Sequence, residues 1–415
     1  MLNFDIREYG AVGDGVTLDT DAIQAAIDAC GRAGGGRVTI EGGVYLSARI
    51  DLRSGVELRI EAGATLMATT DGSAFREIET DFWITDMAPR RNKKCFIYAE
   101  GCRDIAITGR GKIDCQGRNA VAPDDSPNRG WKYKRVIFDL PARMIMLIGC
   151  RDVLCEDVLL YEPCSGWGYW VCDCDRVTMR GLRIDSDLDY PNADGIHINC
   201  SRDVRVSDCS VRAGDDAIVV RAYTGVLHKK TPCERISVTN CNLSSNCSCI
   251  RVSWINDWII RDCVFSNLTF TDSNTGIGIT MPGVPEGQTS HFTDDGGDAT
   301  LIERLSFNNI MIDSCHNEPI MVMMQPGCNI ERIGELSFSN IRSRSGQLPV
   351  IYGRADSPIE DVVFSNCSFI KQNFDTPEDT RRSTCFTPAR DNQMSPRFTY
   401  VRGLRLDNTV FTIES

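Results

Sequence analysis

Three aspartates in NADGIHINCSRDVRVSDCSVRAGDDAIVV, residues 192–220, have the type and spacing for acid–base chemistry: Asp194 in one polar turn, Asp215 and Asp216 in the next. A lone Asp in a turn is usually a turn former, and an adjacent pair is usually a solvated corner. If the two turns stack, the meaning changes. Like charges held close resist ionising together, which leaves a protonated acid beside an ionised base. Glycoside hydrolysis uses such a pair, one carboxyl protonating the leaving oxygen and another activating water. Gly195 and Gly214 flank the acids and are expected to let a substrate approach the backbone. Calcium is the rival use of the same carboxylates, since hard cations also gather them.

The surrounding pattern says that the turns do stack. RDIAITGRGKI from Arg103, RDVLCEDVLL from Arg151, DRVTMRGLRI from Asp175, RDVRVSDCSV from Arg202 and ERISVTNCNL from Glu234 share one plan, and ERLSFNNIMI from Glu303 and EDVVFSNCSF from Glu360 continue it. Each has a polar turn, alternating apolar residues, an Asn/Asp-rich corner and a second alternation, recurring every twenty-odd residues. Alternation marks half-buried strands, and a unit this short closes a core only by stacking on copies of itself. The expected fold is all-β: a right-handed parallel β-helix forming one domain over residues 1–415. Leucine-rich repeats lack support, because their Leu and Asn spacing is missing. Asp194 precedes the Asp pair by about one coil, so the three are expected on adjacent rungs about 4.8 Å apart.

One helix is expected, in LDTDAIQAAIDACGRAGGG, with Asp19 or Thr20 as its cap, apolar positions at Ala22, Ile23, Ala26 and Ile27 and a stop at Gly34. It belongs to an N-terminal cap over about residues 1–36 that covers the first rung. Polar excursions at about 68–94, 116–142, 281–300 and 372–397 are expected to wall a groove.

Composition narrows the function. With 57 acidic and 45 basic residues in 415, the net charge of −12 argues against nucleic-acid binding, and no apolar run is long enough for a membrane span. Twenty cysteines occur without any C-x-x-C pair and with only four histidines, which argues against structural zinc. They read as small buried residues stacked within the repeat. These thiols, and the absence of a basic start or apolar signal core in MLNFDIREYG, make the cytoplasm the expected location. The oligomeric state is not legible.

Two motifs carry a family resemblance. NADG at Asn192–Gly195 and GDD at Gly214–Asp216 match, in order and separation, the N-[TA]-D-G and G-D-D signatures of glycoside hydrolase family 28, the polygalacturonase-like enzymes, and the entry YGAVGDGVTLDTDAIQAAIDA is similar as well. The resemblance covers most of residues 4–225. It implies an inverting hydrolase acting on a pectic or related acidic plant glycan without cofactor or metal. Asp215 would be the general acid, and Asp194 and Asp216 would hold and deprotonate the attacking water. Two departures stand out. The family's G-H-G turn is replaced by NCSCIRV, Asn246–Val252, and its R-I-K by GIGIT, Gly276–Thr280, which removes the basic pair expected on a uronate carboxylate. The candidates to contact substrate are therefore Asn192 of the motif, Arg221, Arg251 and Lys229 as carboxylate binders, His197 and His228 as flanking imidazoles, and Trp254 as a stacking platform. The other readings are a uronan lyase or epimerase with a calcium–carboxylate site and Arg251 as base, and a noncatalytic glycan-binding β-helix.

Overall fold

A computed structural model describes residues 2–81, 92–125, 131–163, 166–227, 229–255, 257–282, 298–372 and 395–414. Each repeat forms one coil of three short parallel strands, and successive coils stack their strands into three faces. Face A holds Arg143–Ile148, Trp167–Cys172, Ile196–Asn199 and Ile218–Arg221 in sequence. Face B stacks Arg151–Glu156, Asp175–Arg180, Arg202–Ser207 and Cys233–Thr239. Face C stacks Leu159–Tyr161, Arg183–Asp185 and Ser210–Ala213. Among the described residues one hydrogen-bonded sheet of 33 strands results, with the right-handed β-helix architecture that the repeat implies. Toward the C-terminus the ladder runs unbroken through corners, so Ile259–Met281 contributes to faces B, C and A in turn.

Alternate residues point inward and build columns, which is how a short repeat obtains a core. On face B, Val153, Val177, Val204, Ile236, Cys263 and Leu305 lie in register. Two positions further along, Phe265, Phe307 and Phe338 stack with ring centroids 4.8 and 5.1 Å apart. The corners explain the recurring Asn and Asp. Asp208, Asn240, Asn267, Asn309 and Asn340 all adopt left-handed backbone between faces B and C, a conformation these two residue types tolerate best after glycine. Their side chains link coil to coil, as where Asn309 Nδ2 donates to Asn267 Oδ1 at 2.8 Å. The described cysteines are free, and all but Cys328 are buried. In the corner after face A, Cys150 and Cys174 donate their thiols to backbone carbonyls of the preceding coil, Ala99 and Leu147.

The helix spans Thr20–Arg32 and buries Ile23, Ala26, Ile27 and Cys30, while Ala22 is only half-buried. Asp19 is the N-cap, but its carboxylate does not cap the helix. It accepts instead from Val12 N at 2.7 Å and Gly13 N at 3.1 Å, fastening the preceding loop. Among the described residues no helix is long and apolar enough to cross a membrane.

The outer surface of face A carries a second apolar cluster, which positions the site described next. Tyr98, Met146, Trp167 and Trp170 cluster with Ile78 from the first excursion and with Tyr223 from the connection after Ile218–Arg221. Of the four expected wall segments, the third and fourth lie almost wholly outside the described residues, and the first two partly so. In the second, Val121–Pro123 and Tyr133–Arg135 form an antiparallel hairpin beside the coil stack.

Candidate active site

Each aspartate owes its place to the corner that leads from face C into face A. Gly195 N donates to Asp216 O at 3.0 Å and Ile196 N to Ala217 O at 2.9 Å, so Asp194 and Asp216 occupy equivalent places on successive coils, with Asp215 one residue earlier. The stacking expected from the spacing is therefore present. Asp194, Asp215 and Asp216 are 5, 7 and 9 % exposed, which leaves each a small surface open to solvent. Gly195 and Gly214 serve another purpose than the one expected of them. A Cβ on Gly195 would stand 2.4 Å from Ala217 O, and one on Gly214 would stand 2.2 Å from Tyr190 O. The neighbouring coil, and not a substrate, requires these glycines.

The surroundings of the three acids differ. Asp216 accepts from Ser248 N at 2.9 Å, and both its oxygens lie 3.2–3.3 Å from the Arg251 guanidinium. Asp215 Oδ2 accepts from Asn192 Nδ2 at 3.3 Å, and the Asp215 carbonyl is held by the Ser245 hydroxyl. Asp194 Oδ2 lies 3.5 Å from His197 Nδ1. His197 is buried against Trp167, with ring centroids 3.7 Å apart, and neither ring nitrogen has a hydrogen-bond partner. Burial first, and then the charges of Arg221 and Arg143, push its pKa well below the ordinary imidazole value, so it stands beside Asp194 as a neutral ring.

Asn192 and His197 thus join the acids, whereas the expected carboxylate binders do not present free charge to a substrate. Arg221 lies five residues past Asp216, about 16 Å along a strand, and pairs bidentately with Asp257, both contacts at 2.7 Å. That pair is buried, and burial pushes the Asp257 carboxyl up against the pull of Arg221. Lys229 is exposed and pairs with Asp173 at 2.9 Å, just past the far end of a face-A strand from Asp194. Arg251 is in the site but 2 % exposed, its guanidinium held by Asp216, Thr280 and Cys247. Trp254 is half-buried, 5.1 Å from the Arg251 guanidinium carbon, and packs on Met321 and Met323. His228 lies outside the described residues.

Sequence reasoning missed Arg143. Arg143 pairs in register with Trp167, and Gly168 N donates to Asp194 O, so Arg143, Trp167, Asp194, Asp216 and Ser248 form one row of corner positions along face A. Extending the row backward from the acids would have found it. Arg143 is buried with Trp167 and Trp170 at 4.9 and 4.8 Å, and burial lowers its pKa to about 10 while the charge of Asp194 opposes that shift. Trp131, also missed, reaches in from the second excursion and donates to Gly214 O at 2.7 Å.

A cation fits this site poorly. The only group of donors gathered closely enough among the described residues is Asp215, Asp216 and Cys247. Two carboxylates and a thiol fall well short of the six to eight oxygens that calcium takes, and the Arg251 guanidinium already lies against Asp216 and the thiol.

The comparisons agree with the geometry. The family model described as glycosyl hydrolases family 28 matches residues 30–377. The chain belongs to this family. Its catalytic class is therefore that of a glycosidase. Among family relatives, a polygalacturonase of Gossypium hirsutum is 25 % identical over 418 residues, covering 95 % of this chain and 89 % of the relative. An exopolygalacturonase of Platanus acerifolia is 22 % identical, covering 89 and 95 %. In three dimensions the chain is similar to a hyperthermoactive exopolygalacturonase from Thermotoga maritima, with a TM-score of 0.76 and 18 % identity over 99 % of this chain and 92 % of that one. That likeness concerns the fold.

Proposed function

We propose that this family 28 glycosidase is an inverting hydrolase of a pectic or related acidic plant glycan, with Asp215 as general acid and Asp194 and Asp216 as the pair that holds and deprotonates water. The observation that carries the proposal is the stacking of three aspartates at one corner, with Asp216 beside a guanidinium. Asp216 is held by the Arg251 guanidinium and the Ser248 backbone N–H, and Asp215 Oδ2 accepts from the Asn192 amide. A carboxyl beside fixed positive charge stays ionised, which suits Asp216 to the base's part; the acid's part for Asp215 is what the family implies. The nearest oxygens of Asp215 and Asp216 come within 4.8 Å of each other, tighter than the separation of about 6.5–9.5 Å usual for an inverting pair. The water accordingly enters beside Asp194 and Asp216, not between acid and base. Inversion itself is what the family implies.

The filled outer surface of face A supports action from a chain end. Trp167, Trp170, Met146 and Tyr98 are buried on the rungs before Asp194, so a polymer lying on face A meets protein on that side. A glycan is then offered by its terminus. The many buried free thiols favour a reducing compartment for the folded protein.

The test is incubation with pectic oligosaccharides, rhamnogalacturonan fragments and neutral glycans, following product anomers by NMR. Short products from the outset, with the inverted anomer and no loss of rate in excess chelator, are expected. Unsaturated products absorbing in the ultraviolet would overturn the reading in favour of a lyase, and retained anomers would overturn inversion. An early fall in polymer viscosity would overturn action from the end.

A further inference from the structure

We propose that Arg251 is a positioning residue that holds Asp216 as the anion and fixes its direction, and that Gly278 exists to make room for it. The proposal rests on the hydrolase reading of the three aspartates and adds a residue the acid–base scheme does not contain.

Face-A register puts His197, Val219, Arg251, Gly278 and Met321 in one outward row. Arg251 is thus one coil beyond the Asp215–Asp216 corner and one before Gly278. Its guanidinium turns back to Asp216, with Nε 3.3 and 3.2 Å from the two oxygens and Nη2 3.3 Å from Oδ1. It also reaches forward, where Nη1 donates to the Thr280 hydroxyl, and Nη2 lies 3.2 Å from Cys247 Sγ. The Trp254 ring stands 5.1 Å from the guanidinium carbon. A charge gripped on these sides and 2 % exposed does not swing out to a substrate carboxylate.

Gly278 is the companion. A Cβ there would stand 3.0 Å from Ser248 Oγ and 3.8 Å from the Arg251 guanidinium carbon. A larger side chain would therefore reach the volume that Arg251 fills. The neutral GIGIT stretch and the basic Arg251 are one arrangement, in which a small residue on one coil admits a long cation from the coil before.

Three crowded carboxyls need something to decide which one loses its proton first. Among the described residues, the groups around Asp216 include Asp215 on its own corner, Asp194 on the coil before with neutral His197 against it, and Cys247 with Arg251 on the coil after. Of these, Arg251 brings a positive charge to hydrogen-bond distance, and it meets both oxygens. A bidentate guanidinium also sets the direction of the carboxylate, which a point charge does not.

The experiment follows the carboxyl titrations by 13C NMR in protein labelled at aspartate, with the Asp216 resonance identified by its loss in Asp216→Asn. Wild type, Arg251→Gln and Arg251→Lys are compared, alongside the pH dependence of kcat/KM on whichever substrate is cleaved. In Arg251→Gln the Asp216 titration should move up by one pH unit or more, the acidic limb of kcat/KM should move with it, and kcat should fall more than KM rises. Arg251→Lys should restore much of the titration shift and less of the rate. Thr280→Val, which removes one anchor of the guanidinium, should give a smaller shift of the same sign and serves if Arg251→Gln does not fold. An unmoved Asp216 titration in folded Arg251→Gln, or in Thr280→Val where that substitutes, would overturn the proposal. So would a rise in KM alone that disappears on uncharged substrates. A wild-type protein that cleaves no glycan would refute the hydrolase reading, and the titration would still judge this one.

Discussion

Replacing Asp215 by Asn tests the acid–base scheme at its centre, because the change removes a proton without removing volume. Asp215 is 7 % exposed and its Oδ2 accepts from Asn192 Nδ2 at 3.3 Å, a long hydrogen bond that the new amide oxygen can still accept. Its backbone carbonyl keeps the Ser245 hydroxyl in either case. The substitution is isosteric and keeps both of these contacts, and melting curves report its effect on the fold. Loss of general-acid assistance removes roughly 10²–10⁴ in rate, or about 3–5 kcal/mol of transition-state stabilisation. That loss must depend on the leaving group. An activated aryl glycoside departs without a proton, so the wild-type to Asp215→Asn ratio should collapse toward unity with it, while the Asp216→Asn ratio should not. The assay is kcat/KM on a natural oligosaccharide and on an activated aryl glycoside, for both variants, with melting curves as the folding control. Equal losses on both substrates for Asp215→Asn would refute its assignment as the acid, and unchanged turnover would refute the site.

Other consequences follow from contacts away from the acids. Asp257→Ala strands the Arg221 guanidinium in a buried place and should destabilise the fold by about 3–5 kcal/mol, read by chemical denaturation. The folded fraction should keep its KM, because Arg221 is bound to Asp257 and not to substrate. Phe307→Ala opens a gap between Phe265 and Phe338 in the stacked column and should cost about 3–5 kcal/mol by the same measurement. His197 has a folded pKa far below its unfolded one, so below about pH 6.5 the unfolded chain binds a proton that the folded chain refuses. Stability should fall as pH drops through that window, by up to about 1.4 kcal/mol per pH unit from this group, and His197→Gln should flatten the slope in denaturation curves taken at pH 5.0–6.5.

Much of the architecture was legible because a stacked repeat writes its geometry into its period. The alternation in RDVRVSDCSV says which residues face inward, and the Asn or Asp at each corner says where the backbone turns left-handed. The coil length alone places Asp194 beside Asp216, since one period of chain returns to the same corner. The helix was legible for the usual reason of apolar spacing, though the use of the Asp19 carboxylate was not, because its partners come from the loop before it.

What the sequence could not disclose was where the long side chains end. Arg221, Lys229 and Arg251 were equivalent candidates on spacing, yet their guanidinium or ammonium groups lie several bonds from the backbone and go wherever an anion is fixed nearby. Asp257 claims the first, Asp173 the second and Asp216 the third. The same holds for Gly195 and Gly214, whose purpose is set by carbonyls on adjacent coils, and for Arg143, which joins the site through register with Trp167 and not through any motif. The sequence by itself thus determined the repeat, its inward columns and the row of acids, because these depend only on periodicity and backbone. The tertiary structure alone decided which cation meets which carboxylate, because that depends on side-chain reach across coils, which periodicity does not encode.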